Sequence, residues 1–181
     1  MTLMQKLSLL LVLAMLMIPL AVSAQSPDSA DKLLSQAQTT ATQQHKVVMV
    51  LFTASWCSLC RQFETYLGSP DVRPIFDKYF VISRINALEE LGKHPERNNP
   101  GSTKLLKKLG GGDSVPFFAF LGESGKVIVD SRAPKAGNVG FPVAPEEVDW
   151  FIKMVRQAAP SMTPDELNKL ESPLRNSKTQ H

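Results

Sequence analysis

The stretch "KVVMVLFT", Lys46 to Thr53, constrains the fold more than any other part of the sequence. It is continuously apolar, rich in β-branched residues and of strand length, which is typical of a strand buried on both faces of a sheet. Such a strand needs helices on both sides. An amphipathic helix is predicted just before it, because residues 26–44 begin with the capping residues Ser26, Asp28 and Ser29 and carry apolar residues at helical spacing.

Further elements follow in an order that predicts a single α/β domain. "CSLCRQFETYL" has the three-to-four spacing of a helix that begins at the first cysteine, and Phe80 to Asn86 reads as a second strand. Two apolar strands around "GESG" predict an antiparallel hairpin, and "APEEVDWFIKMVRQAA" predicts a helix. An irregular, Pro/Gly/Asn-rich segment at residues 88–114, here called the insert, contains the short basic helix "TKLLKKL".

The two ends of the chain are predicted to lie outside this domain. Lys6 precedes a long apolar run, and Val22 and Ala24 offer small residues for cleavage before Gln25, so residues 1–24 are predicted to be a secretory signal peptide. An uncleaved membrane anchor is the alternative, because the run approaches about 20 residues. The domain then covers residues 25–160, and residues 161–181 are predicted to form a short helix and a disordered tail.

Composition excludes some classes of partner. The 20 Lys and Arg residues nearly balance the 17 Asp and Glu residues, and they form no basic cluster typical of nucleic-acid binding. No nucleic-acid partner is expected, and contact with a membrane is expected only through an uncleaved signal. The even count of two cysteines in an exported chain is consistent with a disulfide.

The pair Cys57 and Cys60 allows three interpretations: a structural staple, half of a metal site or a redox pair. A four-residue loop yields only about 2 kcal/mol on the chain-entropy model, against roughly 4.7 for 100 residues, which disfavours the staple. A zinc site needs three or four ligands, and the sequence has no second C-x-x-C or H-x-x-x-H motif. No metal and no cofactor are therefore expected.

The redox interpretation suits the spacing of the pair. Residues three apart on a helix are about 4.5 Å apart along its axis, which lets the two sulfurs bond with little backbone movement. Cys57 lies at the predicted helix N-terminus, where free amides and the macrodipole favour a thiolate. We therefore expect Cys57 to be the nucleophile and Cys60, one turn into the helix, to resolve the mixed disulfide.

The strand "VVMVLFTASWC" entering a C-x-x-C helix, with "SVPFF" opening a later strand, resembles the thioredoxin superfamily. The resemblance covers most of the mature chain and implies a thioredoxin-like α/β fold with a mixed four- to five-stranded sheet flanked by helices. It also implies that Trp56 flanks the nucleophile, that Pro116 is a cis-proline beside the disulfide, and that Trp56, Val115 and Pro116 contact substrate.

Two departures from the superfamily pattern affect the chemistry. Leu51 stands six residues before the first cysteine, where thioredoxins have a buried acid that handles the proton of the second cysteine. Glu64, four residues after Cys60, is the candidate proton relay, although an exposed pair with Arg61 is the ordinary expectation for this spacing. Ser58 and Leu59 between the cysteines lack the histidine of oxidising members, which favours a reductant or general exchanger.

The sequence thus predicts a periplasmic or secreted thiol-disulfide oxidoreductase that acts on protein thiols and disulfides. A reductant in an oxidising compartment needs a source of electrons, for which a membrane donor is the candidate partner. The alternative is a binding module of the same fold, whose insert docks a partner or whose two thiols deliver a copper ion with little turnover.

Overall fold

The computed structural model describes residues 27–176, so the predicted signal peptide at residues 1–24 and the end of the predicted tail lie outside the described part of the chain. Two short 3-10 turns, Glu89–Gly92 and Pro95–Arg97, occupy the first half of the insert. In chain order, the helices and strands are α1 (Ala30–Gln44), β1 (Val47–Thr53), α2 (Ser58–Leu67), α3 (Arg73–Tyr79), β2 (Phe80–Asn86), α4 (Ser102–Lys108), β3 (Phe117–Leu121), β4 (Val127–Asp130), β5 (Arg132–Ala133), β6 (Gly137–Asn138), α5 (Pro145–Ala158) and α6 (Pro164–Asn176).

A four-stranded mixed sheet with the order β2-β1-β3-β4 forms the centre of the domain. Strand β1 pairs in parallel with β2 and antiparallel with β3, and β3 pairs antiparallel with β4, so the predicted hairpin is confirmed. The predicted α/β fold class is confirmed as well. Strands β5 and β6 form a separate two-stranded sheet that the sequence did not predict.

Strand β1 is buried on both faces, as its apolar run predicted. Met49 and Leu51 point into a core that includes Phe63, while Val48 and Val50 belong to a second core on the other side of the sheet. This alternation follows from the two-residue period of a strand. Helices α2, α3, α5 and α6 cover the first face, and α1 and α4 cover the second.

Hydrogen bonds tie the middle of the insert to the domain. The side-chain oxygen of Asn99 accepts the backbone N–H of Asn86 at 2.6 Å, and its amide nitrogen donates to the carbonyl of Asp28 at 2.8 Å. The N–H of Ala30, at the start of α1, donates to the carbonyl of Pro100 at 2.9 Å. The insert is therefore anchored to both α1 and β2.

Helix α6 extends the fold past the last predicted core helix. Its Leu167, Leu170 and Leu174 are buried against the first core, and the carbonyl of Leu170 accepts the hydroxyl of Tyr66 at 2.8 Å. The helix runs further than the predicted segment "MTPDELNKLE". Within residues 27–176, no helix has the length and apolar character needed to cross a membrane.

Candidate active site

The sheet register brings the two candidate site segments together. Phe52, near the end of β1, pairs with Phe117, the first residue of β3. Because these strands are antiparallel, the residues that follow β1 lie beside the residues that precede β3, at the same end of the sheet. The peptide bond between Val115 and Pro116 is cis, as the resemblance implies, and this segment lies beside the cysteines.

Cys57 and Cys60 are joined by a disulfide at the start of α2, with their Cα atoms 5.3 Å apart. Cys57 is the N-cap of this helix, and its Sγ accepts the backbone N–H of Cys60 at 3.1 Å. A sulfur that accepts a helix N-terminal amide is favoured as a thiolate once the disulfide opens. The roles of Cys57 as nucleophile and Cys60 as resolving residue stay predictions.

Exposure does not distinguish the two cysteines. Cys57 is 4% exposed and Cys60 is 2% exposed, so both sulfurs are buried in the disulfide. Position in the helix does distinguish them, because only Cys57 occupies the N-cap. The Sγ of Cys57 also lies 3.4 Å from the carbonyl oxygen of Val115.

Exposed apolar side chains lie beside Cys57 in the chain and in the insert segment that contacts Trp56. Trp56 and Leu59, on either side of Cys57, are 39% and 41% exposed, and Leu91 in the insert is 62% exposed. The indole Nε1 of Trp56 donates to the carbonyl of Leu88 at 2.8 Å, and its ring lies against Gly92. Exposed apolar side chains next to a reactive group are typical of a surface that contacts another protein.

An open cleft of about 830 Å³ lies beside Cys60 and brings several charged side chains together. Glu64 lines this cleft, so the structure places the predicted proton relay near the second cysteine. The predicted pairing of Glu64 with Arg61 is wrong. Both carboxylate oxygens of Glu64 accept from Nε of Arg84 at 2.9 Å, whereas Arg61 donates to the carbonyl of Ser55 at 3.0 Å.

A second carboxylate in the cleft, Glu89, was missed by the sequence reasoning. It is fully buried, and its two oxygens accept the backbone N–H and the hydroxyl of Ser55 at 2.8 and 2.7 Å. The sequence offered little signal, because "EE" in a Pro/Gly/Asn-rich segment is ordinarily solvated. Leu51, which replaces the acid of thioredoxins, is buried in the first core.

Two other chemical properties of the site region follow from its packing. Among residues 27–176, no group of three His, Cys, Asp or Glu side chains is placed to hold a metal ion. Burial raises the pKa of the Tyr66 phenol on α2, which keeps that hydroxyl a neutral donor to Leu170.

The thioredoxin-like domain family matches residues 34–132, which is more than half of the 181-residue chain and includes both cysteines and Pro116. The chain belongs to the thioredoxin-like domain family. This assignment agrees with the sheet order, the C-x-x-C helix and the cis-proline. The molecule is thus a thioredoxin-like domain protein with a closed cysteine pair.

Similarities to individual proteins agree with the family assignment. A curated relative, the thiol:disulfide interchange protein DsbD of Photorhabdus laumondii, is 34% identical over 88 residues, which are 49% of this chain and 14% of the relative. The thioredoxin-like chain therefore matches only a small part of that relative's length.

Solved structures are similar at lower identity. A disulphide isomerase from Xylella fastidiosa is 16% identical with a TM-score of 0.49, covering 88% of this chain and 98% of that one. The oxidised C-terminal domain of DsbD from Neisseria meningitidis is 20% identical with a TM-score of 0.45, covering 72% of this chain and 99% of that one.

Proposed function

We propose that this protein exchanges disulfides with other proteins through Cys57 and Cys60, and that it acts as a reductant or general exchanger. The observation that carries the proposal is the position of Cys57. It caps the N-terminus of α2, is bonded to Cys60, and its sulfur contacts both the Cys60 amide and the Val115 carbonyl. The relative named DsbD, which matches 88 residues of this chain, supports the same chemistry.

In the proposed reaction, the Cys57 thiolate of the reduced protein attacks one sulfur of a substrate disulfide. The substrate S–S bond breaks, a Cys57–substrate disulfide forms, and the released substrate thiolate takes a proton. Cys60 then loses its proton and attacks the Cys57 sulfur, which releases the second substrate thiolate. Two electrons have passed to the substrate, and the protein is left with the disulfide seen in the structure.

The side chains around the pair have proposed roles in these steps. Trp56, Val115 and Pro116 line the approach to Cys57 and would contact the polypeptide that carries the substrate disulfide. Glu64 would accept the proton of Cys60, since both residues line the same cleft. A dithiol donor must then restore the reduced protein, and a membrane partner is proposed for this step.

We also propose that the protein works in the periplasm or outside the cell. Lys6, the apolar run after it and the small residues Val22 and Ala24 support this proposal. N-terminal sequencing of protein recovered from an expressing bacterium tests it. A chain that begins at Gln25 is expected, and a chain that retains residues 1–24 in the cytoplasm would contradict export.

Catalysed reduction of insulin by dithiothreitol tests the exchange activity. The wild-type protein should accelerate insulin precipitation, and Cys57→Ala should abolish the acceleration. Ser161→Ala is the control, because Ser161 is exposed and lies outside the cysteine site. A purified wild-type protein that carries stoichiometric metal and shows no exchange would overturn the proposal.

A further inference from the structure

The two residues that precede Cys57 are held by two consecutive residues of the insert. Leu88 accepts the indole N–H of Trp56 on its carbonyl, and Glu89 accepts both the N–H and the hydroxyl of Ser55 on its carboxylate. We call this set of four residues the clasp. It joins the insert to the loop between β1 and α2 across more than 30 positions of sequence.

Glu89 occupies an environment that is costly for a carboxylate. The residue is 0% exposed, and within the described part of the chain it forms no ion pair. Burying a charge is unfavourable unless hydrogen bonds compensate for the lost hydration. The two donors from Ser55 supply that compensation, so the carboxylate and the loop that it binds depend on each other.

The backbone of the insert is shaped to present these acceptors. Leu88 adopts a left-handed conformation with φ of 59°, which is uncommon for a residue with a side chain and persists only where the surroundings hold it. Asn98 accepts the N–H of Glu89 at 3.1 Å, and His94 donates its N–H to the Glu89 carbonyl at 3.0 Å. Hydrogen bonds therefore hold both the backbone N–H and the backbone carbonyl of Glu89.

Ser55 has each of its polar groups engaged. Besides the two bonds to Glu89, its hydroxyl accepts from Arg97 at 3.2 Å and its carbonyl accepts from Arg61 at 3.0 Å. Cys57 follows two residues later and donates its own N–H to the Ala54 carbonyl at 3.1 Å. The orientation of this turn sets where the Cys57 sulfur and the Trp56 indole face.

We propose that Glu89 is a positioning residue of the dithiol site: through Ser55 it fixes the Ser55–Trp56 dipeptide, and so holds the indole and the Cys57 sulfur in the geometry that meets a substrate disulfide. This inference rests on the proposed exchange function and assigns the insert a part in it. Displacement of a reacting group by about 1 Å can cost up to roughly 100-fold in rate, so a buried anchor two residues from the nucleophile affects chemistry as well as stability.

Fluorine NMR of protein labelled with 5-fluorotryptophan tests the inference directly. The chain has two tryptophans, Trp56 in the clasp and Trp150 on α5, so the second resonance serves as an internal control. Glu89→Ala should shift or broaden the Trp56 resonance, leave the Trp150 resonance in place, and lower kcat/KM for insulin reduction about tenfold. Glu89→Gln, which keeps the shape and one acceptor oxygen, should restore most of both properties.

Matched variants keep the test decisive. Asp113→Ala removes an exposed carboxylate elsewhere in the insert, which lies near Lys107 and not Ser55, and should leave the Trp56 resonance and kcat/KM unchanged. If Glu89→Ala does not fold, Ser55→Ala removes the hydroxyl bond from the exposed side of the clasp and should shift the Trp56 resonance and lower kcat/KM. Ser55→Thr keeps the hydroxyl and should leave both properties near their wild-type values.

The inference is overturned if Glu89→Ala folds with both tryptophan resonances and kcat/KM at wild-type values. Where Glu89→Ala does not fold, the same wild-type values in Ser55→Ala overturn it. Failure of the exchange function would be seen separately, as an inactive wild-type protein. The Trp56 resonance would still report whether Glu89 fixes the dipeptide.

Discussion

The Sγ atom of Cys57 lies 3.4 Å from the carbonyl oxygen of Val115, a residue 58 positions later in the chain. On its other side the same sulfur accepts the N–H of Cys60 at 3.1 Å. These neighbours have opposite effects on the reduced protein. The amide stabilises a Cys57 thiolate, whereas the carbonyl accepts a hydrogen bond only from the neutral thiol.

These two contacts of the Cys57 sulfur predict a low reduction potential for the Cys57–Cys60 pair. Within residues 27–176, the Cys60 amide is the one hydrogen-bond donor to the Cys57 sulfur, so the thiolate is less stabilised than in a strong oxidant. We expect a potential near or below about −270 mV, measured by equilibration with glutathione or dithiothreitol. A potential near about −120 mV would contradict the proposed direction of electron flow.

Gly92→Ala should disturb the active site although residue 92 is remote from the cysteines in sequence. A Cβ atom at position 92 would lie 2.5 Å from Cδ1 and 2.9 Å from Cγ of Trp56, so the indole must move. We expect insulin reduction to slow about tenfold.

Gly112→Ala is the control for that variant. It adds the same methyl group within the insert, where no atom lies within 4 Å of the new Cβ. Equal rates for the two variants would contradict a role for the contact between Gly92 and Trp56.

Glu64→Gln should slow the resolution of the mixed disulfide if Glu64 accepts the proton of Cys60. Loss of a general base costs roughly 100-fold or more in favourable cases, and we expect at least about tenfold here because water also reaches the open cleft. Single-turnover decay of a preformed Cys57–glutathione disulfide measures this step.

Arg84→Gln is the companion variant for Glu64. It removes the partner that binds both oxygens of Glu64 but keeps the carboxylate, so resolution should stay near the wild-type rate. An unchanged rate in Glu64→Gln would show that the carboxylate is only a surface partner of Arg84.

The stability of the docked α6 helix should depend on acid pH through Glu166. The Lys78 ammonium, assisted by the Thr163 amide and the Tyr79 hydroxyl, lowers the pKa of Glu166 to about 2 from an ordinary 4.5. A carboxylate with a lowered pKa in the folded state contributes stability above its unfolded pKa, and this contribution is lost as pH falls through the folded value.

Thermal melts of the wild type and Glu166→Gln measure this contribution. The wild type should be more stable at pH 7, and the difference should shrink as pH falls from about 4.5 to about 2. Asn168→Ala, two residues later on the same helix, changes an exposed side chain that does not titrate and should show no such pH dependence. A difference between wild type and Glu166→Gln that is constant over this range would contradict the assignment.

The sheet and the cysteine pair could be predicted because their signals are local. The apolar run of β1 and the spacing of Cys57 and Cys60 follow directly from strand and helix periods. The partner of Glu64 could not be predicted in this way. Spacing along the helix favoured Arg61, whereas in the structure Arg84 on strand β2 binds the Glu64 carboxylate.

The clasp was also beyond prediction from sequence, for a related reason. Glu89 follows a left-handed Leu88 and bonds to Ser55, which lies 34 positions earlier in the chain. Strands β5 and β6 have two residues each, which is too short for a two-residue period to be visible. Tertiary contacts therefore decide the parts of the site that the local pattern leaves open.

Trapping of a mixed disulfide tests the central claim of exchange through Cys57 most directly. Reduced Cys60→Ala and Cys57→Ala proteins would be incubated with glutathione disulfide or insulin and analysed by intact-mass and peptide-mass spectrometry. We predict a stable one-to-one adduct on Cys57 in the Cys60→Ala protein and little or none in the Cys57→Ala protein. No adduct on Cys57, or an equally rapid adduct on Cys60 in the Cys57→Ala protein, would contradict the proposed mechanism.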